Sequence, residues 1–215
     1  MKKSNRKLLV VLGIAAAVGI AGTGFAADDM KAKAATPAAG EKAMTPEEQE
    51  MMKKFQEFST PGENHHVLDP LIGKWDFSIK SWMSADAPPE ESTGTSEIAW
   101  DLDGHFVKQT VSGSMMGKPF NGMGFIGYDN LKKEYESIWI DNMSTGMMKG
   151  SGKWDAAAKA LTSSGTFSCP LVGGDRTSRE VTTIVDADHF THEMYSPGAD
   201  GKEFKMMEIR YTRAK

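Results

Sequence analysis

Gly122, Gly124 and Gly127 stand in the Gly-x-Gly-x-x-Gly spacing that lets a backbone turn tightly against a pyrophosphate. That chemistry needs a strand before the glycines and a helix after them, whose N-terminus meets the phosphates. Leu131, Tyr135 and Ile138 would satisfy a helical period, and Asp141 stands where a ribose-binding acid belongs. Against this, Asp129-Asn130 interrupts directly after the glycines, and Ile138-Trp139-Ile140 has strand character. No alternating strand–helix pattern surrounds the motif. The glycines are therefore expected inside a bent strand, where a missing side chain relieves crowding.

The same region offers a second chemistry. On a strand over 133–141, alternation puts Tyr135, Ser137, Trp139 and Asp141 on one face, with Glu136, Ile138 and Ile140 on the other. Pointing inward, the first face is an aromatic wall ending in a carboxylate, which could hold a ligand. Tyr128 and His192, the latter sharing a strand face with Phe190 and Met194, complete the candidate ligand-binding set Trp139, Asp141, Tyr128 and His192. Pointing outward, Asp141, Asn142 and Thr145 are turn formers, and turn chemistry is the simpler account of these three. The sequence does not decide which face is inside.

Other chemistries find less support. His65 and His66 are adjacent and cannot easily share one metal, while His189 and His192 point to opposite faces of a strand. With no HExxH or CxxC spacing, neither a metal site nor a resident cofactor is expected. Methionine comes in pairs at 51–52, 115–116, 147–148 and 206–207, and thioethers can hold Cu(I). Neighbours along a strand face opposite ways, so each pair is expected to split between two surfaces and to serve packing. No Gly-x-Ser-x-Gly elbow occurs, and no catalytic residue is assigned. Glu90-Glu91 is expected in a solvated Pro- and Ser-rich loop. Cys169 has no second cysteine in the chain to pair with, and reads as a small buried hydrophobe near a strand end.

The elements that must position these residues follow from a change of period. From Gly73 onward the apolar period is two: Trp75, Phe77 and Ile79 alternate with Asp76, Ser78 and Lys80. Similar segments recur at 94–102, 104–113, 119–128, 133–141, 145–154, 159–168, 177–186, 189–195 and 203–213. Asp103-Gly104, Asp129-Asn130, Asp141-Asn142, Gly173-Gly174 and Ser196-Pro197-Gly198 punctuate them. Strands joined this closely run antiparallel, because a parallel crossover needs about a dozen residues. A meander of about ten such strands closes into an up-and-down, lipocalin- or calycin-like barrel that leaves no edge. A two-sheet sandwich is the alternative. One short amphipathic helix comes first: Thr45 caps it, Pro46 suits its first position, and Glu48 closes a capping box. Met51, Met52, Phe55 and Phe58 share one of its faces and Pro61-Gly62 ends it, so it is expected to lean on the barrel.

The N-terminus speaks to compartment. Lys2, Lys3, Arg6 and Lys7 precede an uncharged run from Leu8 to Ile20, and Gly24-Phe25-Ala26 offers a small-x-small cleavage site. A signal peptide is expected over 1–26, a flexible linker over 27–44, the helix within 45–62 and a β domain over 63–215. Cleavage removes four basic residues and no acid, taking the formal charge from −4 to −8. Such an acidic, exported chain is a poor partner for nucleic acid, and the apolar run is too short to span a membrane comfortably. A periplasmic or secreted location is expected, with no stable membrane insertion after cleavage.

Several of these residues carry a resemblance. His66, Leu68, Leu71-Ile72-Gly73-Lys74-Trp75, Gly127-Tyr128-Asp129-Asn130, Trp139-Ile140-Asp141, Ser144-Thr145-Gly146 and Tyr211-Thr212-Arg213 together resemble the uncharacterised bacterial domain-of-unknown-function family 1579, over about residues 63–213. The resemblance implies a single β-rich, lipocalin-like domain and brings no established activity. Gly73-Lys74-Trp75 on the first strand and Arg213 on the last also resemble the lipocalin-type barrel. What that implies is a structural latch of Gly73, Trp75 and Arg213, with a guanidinium stacked on an indole where first and last strands meet.

The expected function is a binding barrel for a small apolar or amphipathic ligand, monomeric or weakly dimeric, with Trp, Phe and Met lining a cavity. Two alternatives stand beside it. One is an enzyme using Asp141 or His192 as acid or base; the other is an envelope interaction protein with a packed core that docks through the helix at 46–58.

Overall fold

The computed structural model describes residues 44–170, 172–198 and 200–215, so the expected signal peptide and nearly all of the expected linker lie outside the described residues. Two helices and a 3₁₀ turn lead in: α1 (Pro46–Ser59), α2 (Glu63–His66) and the turn Asp69–Leu71. Ten strands follow: β1 (Gly73–Ser81), β2 (Glu90–Asp101), β3 (Phe106–Met115), β4 (Lys118–Asp129), β5 (Glu134–Asp141), β6 (Met148–Asp155), β7 (Ala160–Cys169), β8 (Gly174–Ile184), β9 (His189–Pro197) and β10 (Glu203–Arg213). Each pairs antiparallel with its neighbours in sequence, and β10 returns to β1 with Trp75 opposite Arg213. The meander is thus a closed barrel, and the sandwich alternative falls away.

Alternation fills the interior. On β1, Trp75, Phe77 and Ile79 are buried while Asp76, Ser78 and Lys80 between them are exposed. Each fully buried side chain of this size contributes about 1.5–3 kcal/mol, so one strand supplies a sizeable part of the fold's stability. Aspartates build the turns: Asp129 accepts from the amides of Leu131 and Lys132, Asp141 from Met143 and Ser144, and Asp155 from Ala157 and Ala158. These side chains replace the backbone partners that a strand end loses.

The glycine fingerprint lies inside β4 and is followed by a turn and β5, with no helix in the place a dinucleotide would need. Its glycines are seats for neighbouring rings. A Cβ on Gly122 would come within 2.2 Å of the Trp139 indole, and one on Gly124 within 2.8 Å of the same ring. Gly127, on the opposite face, makes room for Phe106.

Four expectations need correction. Glu90 and Glu91 belong to β2, where Glu91 pairs with Lys80 at 3.2 Å; strand partners on β1 extend the pairing into the Pro-rich stretch. The methionine pairs do not all split, because a bulge on β10 between Lys205 and Met207 brings both Met206 and Met207 to the barrel interior. Residues 63–72, expected within the β domain, form a helical plug across one end of the barrel. Finally, α1 does not lie against the barrel body: all its residues are exposed, with Phe55 at 55% and Met52 at 51%. Its ends are satisfied without packing. Thr45 and Glu48 close the capping box, and Asn130 donates to the carbonyls of Glu57, Phe58 and Thr60.

Candidate functional site: the barrel lumen

The plug closes one end because three strands bond to its backbone and a fourth to one of its side chains. Tyr135 Oη donates to the Asn64 carbonyl at 2.8 Å, Trp75 Nε1 to Leu71 at 2.9 Å, and Arg213 Nη1 to Ile72 at 3.0 Å. Trp100 Nε1 donates to the Asp69 carboxylate at 2.9 Å. The Arg213 guanidinium lies 4.2 Å above the centre of the Trp75 ring and also reaches the Ala187 carbonyl. Gly73 gives it room: a Cβ there would stand 2.4 Å from Arg213 Nη1, and its φ of +144° is one that a side chain resists. His65 sits inside this floor, 4% exposed, with Nδ1 accepting from the Gly62 amide and its ring edge-on to Tyr128. Burial, helped by His105 and His66 nearby, pulls its pKa down.

Above the floor runs a cavity of about 440 Å³, within the range of about 300–1,000 Å³ common for small-molecule sites. It extends from Leu68 and Leu71 on the plug to the turn between β5 and β6. There Met143 and Met147 line it while remaining 44% and 58% exposed, so the lumen reaches the surface at that end. Most of the wall is apolar, with methionine supplied by several strands, a lining that adapts to ligand shape.

Polar groups gather on one arc. Ser178, Glu180 and Thr182 alternate inward on β8, and His192 faces Thr182 from β9. Glu180 is 8% exposed and accepts from Ser178 Oγ at 2.9 Å. Burial raises its carboxyl pKa, against the weaker pull of that hydroxyl. His192 Nδ1 meets Thr182 Oγ1 at 3.0 Å, and burial drives its pKa down to about 4, only slightly opposed by Glu193. The residue is partly buried and lines the lumen. It is neutral at physiological pH. Farther round, Gln109 Nε2 donates to Ser96 Oγ and to Tyr211 Oη, whose pKa burial pushes up to about 12.

Of the residues singled out from sequence, Trp139, Asp141 and His192 line the cavity. Tyr128 does not; its ring packs against His65 and Tyr135 beside the plug. Asp141 is held by its turn: Oδ1 accepts from Met143 and Ser144, and Oδ2 accepts from Trp139 Nε1 at 3.0 Å, fixing the indole against Gly122 and Gly124. Asp141 and His192 share no hydrogen bond, stand four strands apart, and form no acid–base couple. Sequence reasoning missed Glu180, Ser178, Gln109 and Tyr211. Period-two alternation puts Ser178, Glu180 and Thr182 on one face, but polar residues flank them on both sides and give no contrast to mark that face as inside.

Two solved structures align with the chain. Rv2717c from M. tuberculosis aligns with a TM-score of 0.53 at 15% identity, covering 73% of this chain and all of its own. The S-type phycobiliprotein lyase CPES from Guillardia theta aligns with a TM-score of 0.48 at 10% identity, covering 74% of this chain and 96% of its own. The first likeness shows the fold alone. No curated protein matches the chain. A family model described as "Protein of unknown function (DUF1579)" matches residues 60–213, and the chain belongs to that family.

Proposed function

We propose that the protein is an exported carrier or sensor that holds one small apolar or amphipathic molecule in its barrel. The observation behind this reading is the lumen itself, apolar over most of its wall and continuous from the plug to exposed methionines at the far end. A barrel built only for stability would fill that volume with side chains, since interiors pack to crystal-like density. Trp139, clamped by Asp141, supplies a rigid aromatic face near the mouth, and His192 and Thr182 supply hydrogen bonding deeper in. Native mass spectrometry of protein purified without detergent or refolding tests the reading. A mass excess lost on denaturation is the expected result; an empty lumen that also binds no added apolar compound would remove it. Trp139→Ala should weaken ligand binding about tenfold and leave the barrel folded.

The export reading rests on the basic n-region, the apolar run and Ala26, and predicts a mature chain starting at Ala27. N-terminal sequencing of the native protein checks it. A second reading draws on α1, whose apolar face has no partner within the described residues. In that reading the helix docks the protein to another envelope component. Removing residues 27–58 separates the two, because a binding barrel keeps its ligand and a docking protein loses its partner.

A further inference from the structure

The charges around the lumen are unevenly placed. Its lining contains the carboxylates of Glu180 and Asp141 and, among the described residues, no Lys or Arg. The cations of the same wall face outward and are matched there: Arg179 with Glu203 at 2.6 Å, Lys205 with Glu193 and Glu208, and Arg210 with Glu208. Asp141 is occupied by its turn and by Trp139. Glu180 is different. One oxygen accepts from Ser178, and its other oxygen has no hydrogen-bond partner among the described residues. Since no fully enclosed side-chain oxygen among the described residues is unsatisfied, that second oxygen faces the cavity. The carboxylate is also seated deliberately: a Cβ on Gly165 of β7 would fall 2.1 Å from Glu180 Oε1, so this glycine is what lets the acid lie flat against the wall.

We infer that the lumen takes an apolar molecule bearing a protonated amine, with Glu180 as its counter-charge, an inference that rests on the ligand-binding reading above. A carboxylate nine-tenths buried with one neutral donor is costly to keep ionised, and a ligand cation removes that cost. An ammonium group offers hydrogen-bond donors to the second Glu180 oxygen, and Thr182, two residues along β8, with His192 opposite it on β9 provides neutral polar contacts beside it. Burial raises the Glu180 carboxyl above its ordinary range, and a cation at hydrogen-bond distance shifts the balance back toward the carboxylate. His192 adds no positive charge near neutrality, because burial keeps it unprotonated. A fatty-acid-like anion would enter a lumen with no cation to meet it.

Calorimetric titration of the purified protein at neutral pH with octylamine, octanol and octanoate tests this, since the amine is protonated there and the acid ionised. Octylamine should bind about tenfold more tightly than octanol, and octanoate more weakly than either. Glu180→Gln should erase the amine's advantage while octanol binding persists. If octanol binds and octylamine binds no better, or octanoate binds best, the amine inference is overturned and the binding reading stands. If Glu180→Gln keeps the preference, Glu180 is not the counter-charge. Failure of all three compounds to bind the wild-type protein would overturn both. The wild-type comparison decides the preference even if the variant does not fold.

Discussion

The two ends of the barrel are built on opposite principles. At the plugged end, Trp75, Tyr135 and Arg213, drawn from three strands, aim their donors at backbone carbonyls of residues 63–72, and Trp100 holds Asp69. The Trp75 bond is local, but those of Trp100, Tyr135 and Arg213 join residues far apart in sequence, and the Arg213 bond needs the last strand to have met the first. At the other end, the turn between β5 and β6 is held by its own Asp141, and Asn142 ties it to Pro119 and Asn121 of β4. Methionines there remain exposed. Bonds from β1, β2, β5 and β10 converge on the floor and tie it to the whole fold; the rim keeps its shape through its own aspartate and one neighbouring strand, without being packed over. Stability and access are thereby assigned to different ends of one sheet.

The most severe way to break this comparison is at the floor. Trp75 is 1% exposed, stacks under Arg213, meets Phe190 edge-on and donates to Leu71, so Trp75→Ala removes packing, a cation–π contact and a hydrogen bond together. A loss of about 3–5 kcal/mol is expected, read as a lowered urea midpoint. A loss below about 1 kcal/mol would mean that the floor is not where the barrel is secured.

Between the ends, the polar arc sharpens the comparison through pH. The unfolded His192 titrates near 6.5 and the native one at about 4. Between those values the unfolded chain binds a proton that the native state refuses. Stability present above the unfolded value is therefore lost as pH falls from 6.5 toward 4, by about 3 kcal/mol. Glu180 has the opposite sign: its carboxyl is raised by burial, so its contribution is complete below the unfolded value of 4.5 and is lost as pH climbs through the folded one. Urea midpoints of wild type and His192→Gln across this acid range separate the two. The variant should lose the slope between pH 6.5 and 4; identical slopes would show that His192 is not the group responsible.

How much of this was legible depended on contrast. On β1, Trp75, Phe77 and Ile79 stand against Asp76, Ser78 and Lys80, and the strand and its inward face can be read directly. The same alternation, with the aspartate turns between segments, was enough to give ten antiparallel strands and a closed barrel. On β8, Ser178 and Glu180 lie among Thr177, Arg179 and Asp175, where hydropathy cannot distinguish lumen from solvent. The inward carboxylate became visible only through the register that sets Glu180 opposite Met194 and Thr182 opposite His192. The plug was hidden for a related reason. Its helical pieces are too short to carry a period, and much of what fixes them comes from Trp100, Tyr135 and Arg213, donors on strands far away in sequence. The bulge at Met206 likewise depends on a cross-strand count that no local pattern records.

The mildest perturbation tests the other half of the comparison. Met143 and Met147 line the lumen at its exposed end, yet each shows about half its surface to solvent and neither belongs to the buried cluster. Replacing both with Ser removes apolar surface that a ligand would cover and leaves untouched the Asp141 and Asn142 bonds that shape the turn. Stability should change by no more than about 0.5 kcal/mol, while octanol affinity falls by a few-fold. If the double variant instead lowered the urea midpoint as far as Trp75→Ala does, the rim would be part of the cooperative core. The division of labour between the two ends would then be wrong, because side chains half in water would be holding the barrel together as firmly as the latch does.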